Sequence, residues 1–209
     1  MLLELKEIPV YYINLQKDVD RNQKMVSMLD KFGFEEYTRI EAVEHQNSLV
    51  GCSASHYFIL DNFKPPFIVL EDDCVLKTEY TQINIPDDSD ALYLGISSWG
   101  RMNSHSGPCV KYERLENNFL RLYNMLSAHS ILFMSERYVD ICKNICFHFC
   151  KTQEHHDIGY AEVQKYFNVY ALDNPMFYQT SSNGTDSNLS SYPSIDFYSY
   201  TPNFWLPTK

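Results

Sequence analysis

At 209 residues, 44% hydrophobic and 21% charged, the chain can bury a full core with no disulfide or zinc staple, and its composition is ordinary for a soluble globular domain. Its 27 acidic against 17 basic side chains give a net charge of −10, which argues against a general nucleic-acid binder; a nucleotide stays open, because one bound metal reverses the local field. The six cysteines form no CxxC pair, no signal-peptide pattern opens the chain, and no apolar run approaches the ~20 residues of a membrane span. The sequons at Asn183 and Asn188 matter only in a secretory compartment, so the expectation is a reduced, soluble, cytoplasmic protein.

In chain order, Pro9 to Leu15 reads as a buried strand, β-branched and aromatic without alternation. Asp20, with Gln23 three residues on, reads as a capping box for a helix carrying Met25, Met28, Leu29 and Phe32 and closed by Gly33. Tyr37 to Val43 is a second strand. After Gly51 comes a helix, stopped by Pro65 and Pro66. Phe67 to Leu70, Ala91 to Ile96, Ala128 to Met134 and Phe167 to Leu172 are further apolar runs; Ser135 caps a helix toward Cys150, and Asp157 opens another. Strands alternating with helices predict an α/β fold with a mostly parallel central sheet flanked by helices, in one domain over 1–209. Residues 181–209, rich in Ser, Tyr and Pro but bearing Phe197, Tyr198, Phe204 and Trp205, are expected to pack onto that domain.

The run Phe67-Ile68-Val69-Leu70 delivers Glu71, Asp72 and Asp73 to a strand end, where open α/β sheets collect ligands. Alternation on an extended chain points Glu71 and Asp73 into one pocket and Asp72 elsewhere. Two carboxylates that close call for a cation or donors, and their oxygens suit a hard ion such as Mn²⁺ or Mg²⁺. The plain reading is a solvated acidic turn. Of the rival triplets, Asp18-Val19-Asp20 is explained by helix capping and Asp88-Ser89-Asp90 by a turn led by Pro86; only the run at 71–73 follows an apolar strand directly.

Three segments together resemble glycosyltransferase family 25, the lipopolysaccharide-type and collagen-type galactosyltransferases. They are Tyr12-Ile13-Asn14-Leu15 with Asp20-Arg21, Gly51-Cys52-Ser53-Ala54-Ser55-His56, and Val69-Leu70-Glu71-Asp72-Asp73, which is similar to a DxD metal motif. Weaker similarity covers Ala128-His129, Asp157, Tyr170 to Gln179, and Asp186 beside Thr185. The resemblance implies a GT-A fold, Rossmann-like, and metal-dependent inverting transfer of a sugar from a UDP-sugar to a glycan or other hydroxyl acceptor. The compact size further suggests a domain of a longer, viral protein, which would place it in a host cytoplasm.

Inverting transfer needs a base for the acceptor hydroxyl and a neutralised leaving diphosphate. Asp157 is the candidate base, against a plain N-cap role, with Glu154 and Asp186 as fallbacks. Asp73 binds the metal directly, and Glu71 does so through water or holds the ribose. Asn14, Leu15, Tyr12, Arg21, Ser53, Ser55 and Asp72 are the candidate nucleotide-sugar contacts; the plain readings are core packing for Tyr12 and helix capping for Ser53 or Ser55. His129, His156 and Asp186 are candidates for acceptor or sugar contact; on an apolar strand His129 is more often a satisfied core histidine, and the resemblance raises the sugar contact. Zinc on His155 or His156 with Cys146 or Cys150 lacks the paired spacing such sites favour. The competing functions are a metal-dependent nucleotide phosphohydrolase and a non-catalytic nucleotide-sugar or glycan-binding module.

Overall fold

The computed structural model describes residues 1–107 and 109–180. The expected packing of 181–209, the sequons and Asp186 lie outside them.

Strand β1 (Val10–Asn14) is followed by α1 (Val19–Phe32), β2 (Tyr37–Glu41), α2 (Ser48–Asn62) and β3 (Phe67–Glu71). The capping box expected at Asp20 is not used: α1 begins earlier, with Asp18 at the N-cap position and no side-chain cap bond. Its other end is as read, since Gly33 at φ 87° closes the helix, its N–H donating to the Leu29 carbonyl. Helix α2 likewise begins before Gly51, capped by Asn47, whose side chain accepts from the Leu49 N–H at 3.0 Å.

The second half holds β4 (Ala91–Tyr93), β5 (Tyr112–Arg114), β6 (Phe119–Leu122), β7 (Ser130–Phe133), α3 (Glu136–Thr152), α4 (His156–Val163) and β8 (Val169–Leu172). Ser135 caps α3, accepting from the Tyr138 N–H at 3.3 Å. Eight strands form one sheet in the order β5-β6-β8-β4-β7-β3-β1-β2. This corrects the expected Rossmann-like GT-A fold with a mostly parallel central sheet. Only β1 with β2, β1 with β3 and β4 with β8 run parallel. The other four pairings, all involving β6 or β7, are antiparallel.

Part of the difference lies between residues 96 and 128, where no element was expected. That stretch folds into ribbons instead of a crossover helix. The hairpin of Gly100–Met102 and His105–Gly107 turns at Asn103 and Ser104, both at positive φ (50° and 63°), as a tight two-residue loop requires. Hairpin-linked strands cannot run parallel. Further two-stranded ribbons pair Leu2–Glu4 with Gln82–Asn84, and Cys74–Leu76 with Phe177–Gln179.

Residues of α2, α3 and α4 pack against one set of sheet side chains, including Ile13, Phe67, Val69, Tyr93 and Phe133. Residues of α1 and the N-terminal segment pack against the other set, including Val10, Tyr12, Ile68, Leu70 and Leu92. Alternation along β1 and β3 explains this division. No helix among the described residues is long and apolar enough to cross a membrane.

Candidate functional site

Because β1, β2 and β3 run parallel, their carboxyl ends at Asn14, Glu41 and Glu71 share one edge. Antiparallel β7 brings its entrance to the same edge, where the Glu71 N–H donates to the His129 carbonyl at 2.9 Å. The segment after β3 then turns, and the side chains of Glu71, Asp72 and Asp73 part company.

Asp72 faces α1. It accepts from Asn14 Nδ2 at 2.7 Å and from Arg21 at 2.9 Å. Glu71 accepts from His56 Nε2 at 3.2 Å and the Cys52 thiol at 3.8 Å through Oε1, and from Gln179 Nε2 at 3.0 Å through Oε2. Asp73 is buried; its Oδ2 accepts from the same Gln179 nitrogen at 3.3 Å, and its Oδ1 is buried without a partner.

The two acids titrate in opposite directions. Burial would push Glu71 up, but the His56 hydrogen bond and charge, with His129, outweigh it and hold the carboxyl below its usual range. Asp73 is pushed up to about 7, first by burial and then by the Glu71 charge, with Arg21 opposing. A carboxyl with one orphaned oxygen beside a second acid is the environment a cation relieves. Asp73 and Glu71 therefore fit a hard divalent ion as donors.

Behind the acids lies a layer of nitrogen and sulfur. Cys52 and His56 stand four residues apart on α2, and His156 opens α4. One ligand atom from each of Cys52, His56 and His156 lies within 4.8 Å of the others, a group able to hold a metal ion. Burial, and then the charges of His56 and His155, lower His156 well below the usual imidazole range. Burial likewise lowers His129 to about 4, against the Glu71 charge. His129 Nδ1 meets Ser127 Oγ at 2.9 Å, and its Nε2 would lie 2.0 Å from any Cβ at Gly95, so the absence of a side chain there makes room for the ring.

Two clefts meet at the acids. The larger, about 720 Å³, is lined by Glu71, Asp73, Arg21, Cys52, Trp99, His129, His156, Asp157 and Gln179, among others. The smaller, about 330 Å³, runs past Asn14, Leu15, Arg21, Val43, His45 and Ser55 to Glu71, Asp72 and Asp73. Asp157 is half-buried in the first turn of α4 and is not its cap; His155 holds that position. Its carboxyl is raised by burial, with the Glu71 charge adding and that of His155 opposing.

No protein-family model and no curated protein matches this chain.

The structure gathers Glu71, Asp73, Arg21, His129, His156 and Asp157 at one cleft, and Asn14, Leu15, Arg21, Ser55 and Asp72 at the other. Two nucleotide candidates fall elsewhere. Tyr12 packs into the core on the α1 side, its hydroxyl donating to Asn22 at 2.8 Å. Ser53 is wholly buried in the second turn of α2, 3.4 Å from His156 Nδ1, and opens no helix. Ser55 reaches its cleft but spends its hydroxyl on the Gly51 carbonyl at 2.7 Å and the Val43 N–H at 2.8 Å. Gln179, Cys52 and His56 had no assigned role in the sequence. The spacing of Cys52 and His56 on a helix was the available signal; Gln179 comes from a strand that pairs only across the fold.

Proposed function

We propose that the chain is a metal-dependent, inverting glycosyltransferase that moves a sugar from a UDP-sugar to a glycan or other hydroxyl acceptor. The observation that supports this reading is the meeting of two clefts at Glu71 and Asp73, with Asp157 on the wall of the larger one. The smaller cleft suits a nucleoside and the larger one the two sugars. The resemblance to glycosyltransferase family 25 supplies the reaction class.

Asp73 and Glu71 would hold Mn²⁺ or Mg²⁺, which neutralises charge on the departing diphosphate when bound. Arg21 lines both clefts and brings a guanidinium to the same junction, while Asp72 fixes its position. Asp157 takes the proton of the acceptor hydroxyl as its oxygen attacks the anomeric carbon and the bond to the diphosphate breaks. A carboxylate whose pKa is raised by burial is a stronger base than an exposed one. The buried, neutral imidazole of His129 is available to orient a sugar hydroxyl.

Calorimetric titration of UDP with and without Mn²⁺ tests the reading. Binding that requires Mn²⁺ in the wild type and disappears in Asp73→Ala is the expected result. Equal affinity in the two proteins removes the metal assignment. Release of phosphate from a simple phosphate ester, or cleavage of a UDP-sugar to UMP and a sugar 1-phosphate, without any acceptor product moves the site to the phosphohydrolase class.

A further inference from the structure

We propose that Cys52, His56 and His156 form a zinc site on the wall of the larger cleft, chemically distinct from the Asp73 carboxylate. This inference does not depend on the glycosyl-transfer reading.

The donor set is the first argument. A thiolate with two imidazoles suits a borderline-soft ion such as Zn²⁺, whereas carboxylate oxygens suit Mg²⁺ or Mn²⁺. Spacing is the second. The three ligand atoms lie within 4.8 Å of one another, and tetrahedral zinc with bonds of about 2.0–2.3 Å sets ligand atoms about 3.3–3.8 Å apart. Side-chain movement on the order of 1 Å closes the set.

The third argument is the unsatisfied nitrogens. His56 uses Nε2 toward Glu71 at 3.2 Å, and His156 uses Nδ1 toward Ser53 Oγ at 3.4 Å. The remaining nitrogens, His56 Nδ1 and His156 Nε2, are buried without a hydrogen-bond partner. Buried imidazoles are seldom left so. A metal-ligating histidine ordinarily gives its second nitrogen to a carboxylate or hydroxyl, and Glu71 and Ser53 fill those places. Ser53, which reaches neither cleft, thereby acquires a role in orienting His156.

Cys52 and His156 both line the larger cleft, so a fourth position of the ion faces it and is open to water. On binding, Cys52 loses its proton to solvent and the thiolate sulfur becomes the ligand.

Cobalt(II) is the probe. Titration of the full chain under a phosphine reductant is expected to give a thiolate-to-cobalt charge-transfer band and tetrahedral visible bands saturating at one equivalent, both abolished by Zn²⁺. Cys52→Ser removes the charge-transfer band, and His156→Gln weakens zinc binding by roughly tenfold or more. Asp73→Asn keeps the band, which separates this site from the carboxylate one, and circular dichroism checks each variant's fold. Absence of stoichiometric cobalt binding overturns the proposal. So does a charge-transfer band that survives in folded Cys52→Ser, or unchanged zinc affinity in folded His156→Gln.

Discussion

Gln179 donates to Asp73, its Nε2 standing 3.3 Å from Oδ2, and the same nitrogen lies 3.0 Å from Glu71 Oε2. One neutral amide thus serves two acids where a cation is expected to do so. Replacing it exposes the cost of the pair. Gln179→Ala is expected to destabilise the metal-free chain by about 1–3 kcal/mol, since each carboxylate loses a buried donor. Saturating Mn²⁺ should remove most of that loss. Urea denaturation with and without Mn²⁺ reads both values; a loss of the same size in the two conditions counts against a cation between these acids.

Asp73 carries the pH dependence. Its carboxyl titrates at about 7 in the folded chain, against 3.8 as the ordinary value. Between these values the folded chain holds the extra proton. The group's stabilising contribution is therefore complete below the unfolded pKa and is lost as pH rises through about 7. Without metal, Asp73→Asn should gain on the wild type as pH rises, with the melting temperature moving about 2–4 °C for each kcal/mol relieved. Protons and cation compete for the same oxygens, so Mn²⁺ affinity should rise with pH and level off above about 7. A flat affinity across that range argues against Asp73 as a ligand.

Much of this edge could be read in the sequence because its residues follow local rules. The buried strand before Glu71, the glycine that ends α1 and the serine that caps α3 each rest on a few neighbouring residues. Strand direction does not. Nothing local in Ser130–Phe133 distinguishes a strand running with β3 from one running against it; its direction is set by pairings with β3 and β4, which are far away in the chain. Asp90 shows the same limit. In sequence it belongs to a turn, and Ser89 does bond back to the Pro86 carbonyl, yet Asp90 itself is buried and joins three elements. Gln179 reaches the acids, and His156 reaches Cys52 and His56, from about a hundred residues along the chain, so no spacing rule brings them together.

That role makes Asp90 a stability test remote from the clefts. It accepts from Arg137 at 2.6 Å and 2.5 Å, from Ser135 Oγ at 2.5 Å and from the Asn168 N–H at 2.8 Å. Burial alone would raise its carboxyl, but Arg137 and these donors hold it below the ordinary value. Its contribution is present above the unfolded pKa near 3.8 and is lost as pH falls through the lower folded one. Asp90→Ala should cost about 3 kcal/mol at neutral pH, mostly from donors left unpaired. Chemical denaturation measures it, and a loss within about 0.5 kcal/mol, the scale of an ordinary surface change, contradicts the assignment.

Gly95 and Gly107 form a matched pair. A Cβ at Gly95 would lie 2.0 Å from His129 Nε2 and 2.6 Å from Ser130 Oγ, whereas one at Gly107 meets nothing within 4 Å. Gly95→Ala is therefore expected to cost about 1–3 kcal/mol, and Gly107→Ala to stay within about 0.5 kcal/mol. Because the Gly95 variant displaces His129, it should also weaken sugar binding beyond its effect on stability. Equal melting curves for the two variants would show that His129 is not held by this contact.

Asp157 separates binding from turnover. If Asp157 is the base proposed above, Asp157→Asn preserves shape and removes it, so kcat for transfer should fall by about 10²–10⁴. UDP affinity in the presence of Mn²⁺ should stay within about twofold, because the proposed metal contact lies with the carboxylates at 71–73. The wild-type rate should depend on a group whose pKa burial has raised, placing the acid limb of the kcat/KM profile above that of an ordinary aspartate. Transfer at the wild-type rate in the Asn variant rules out Asp157 as the base. An unchanged rate with a displaced acid limb would instead mark it as a positioning charge beside the group that takes the proton.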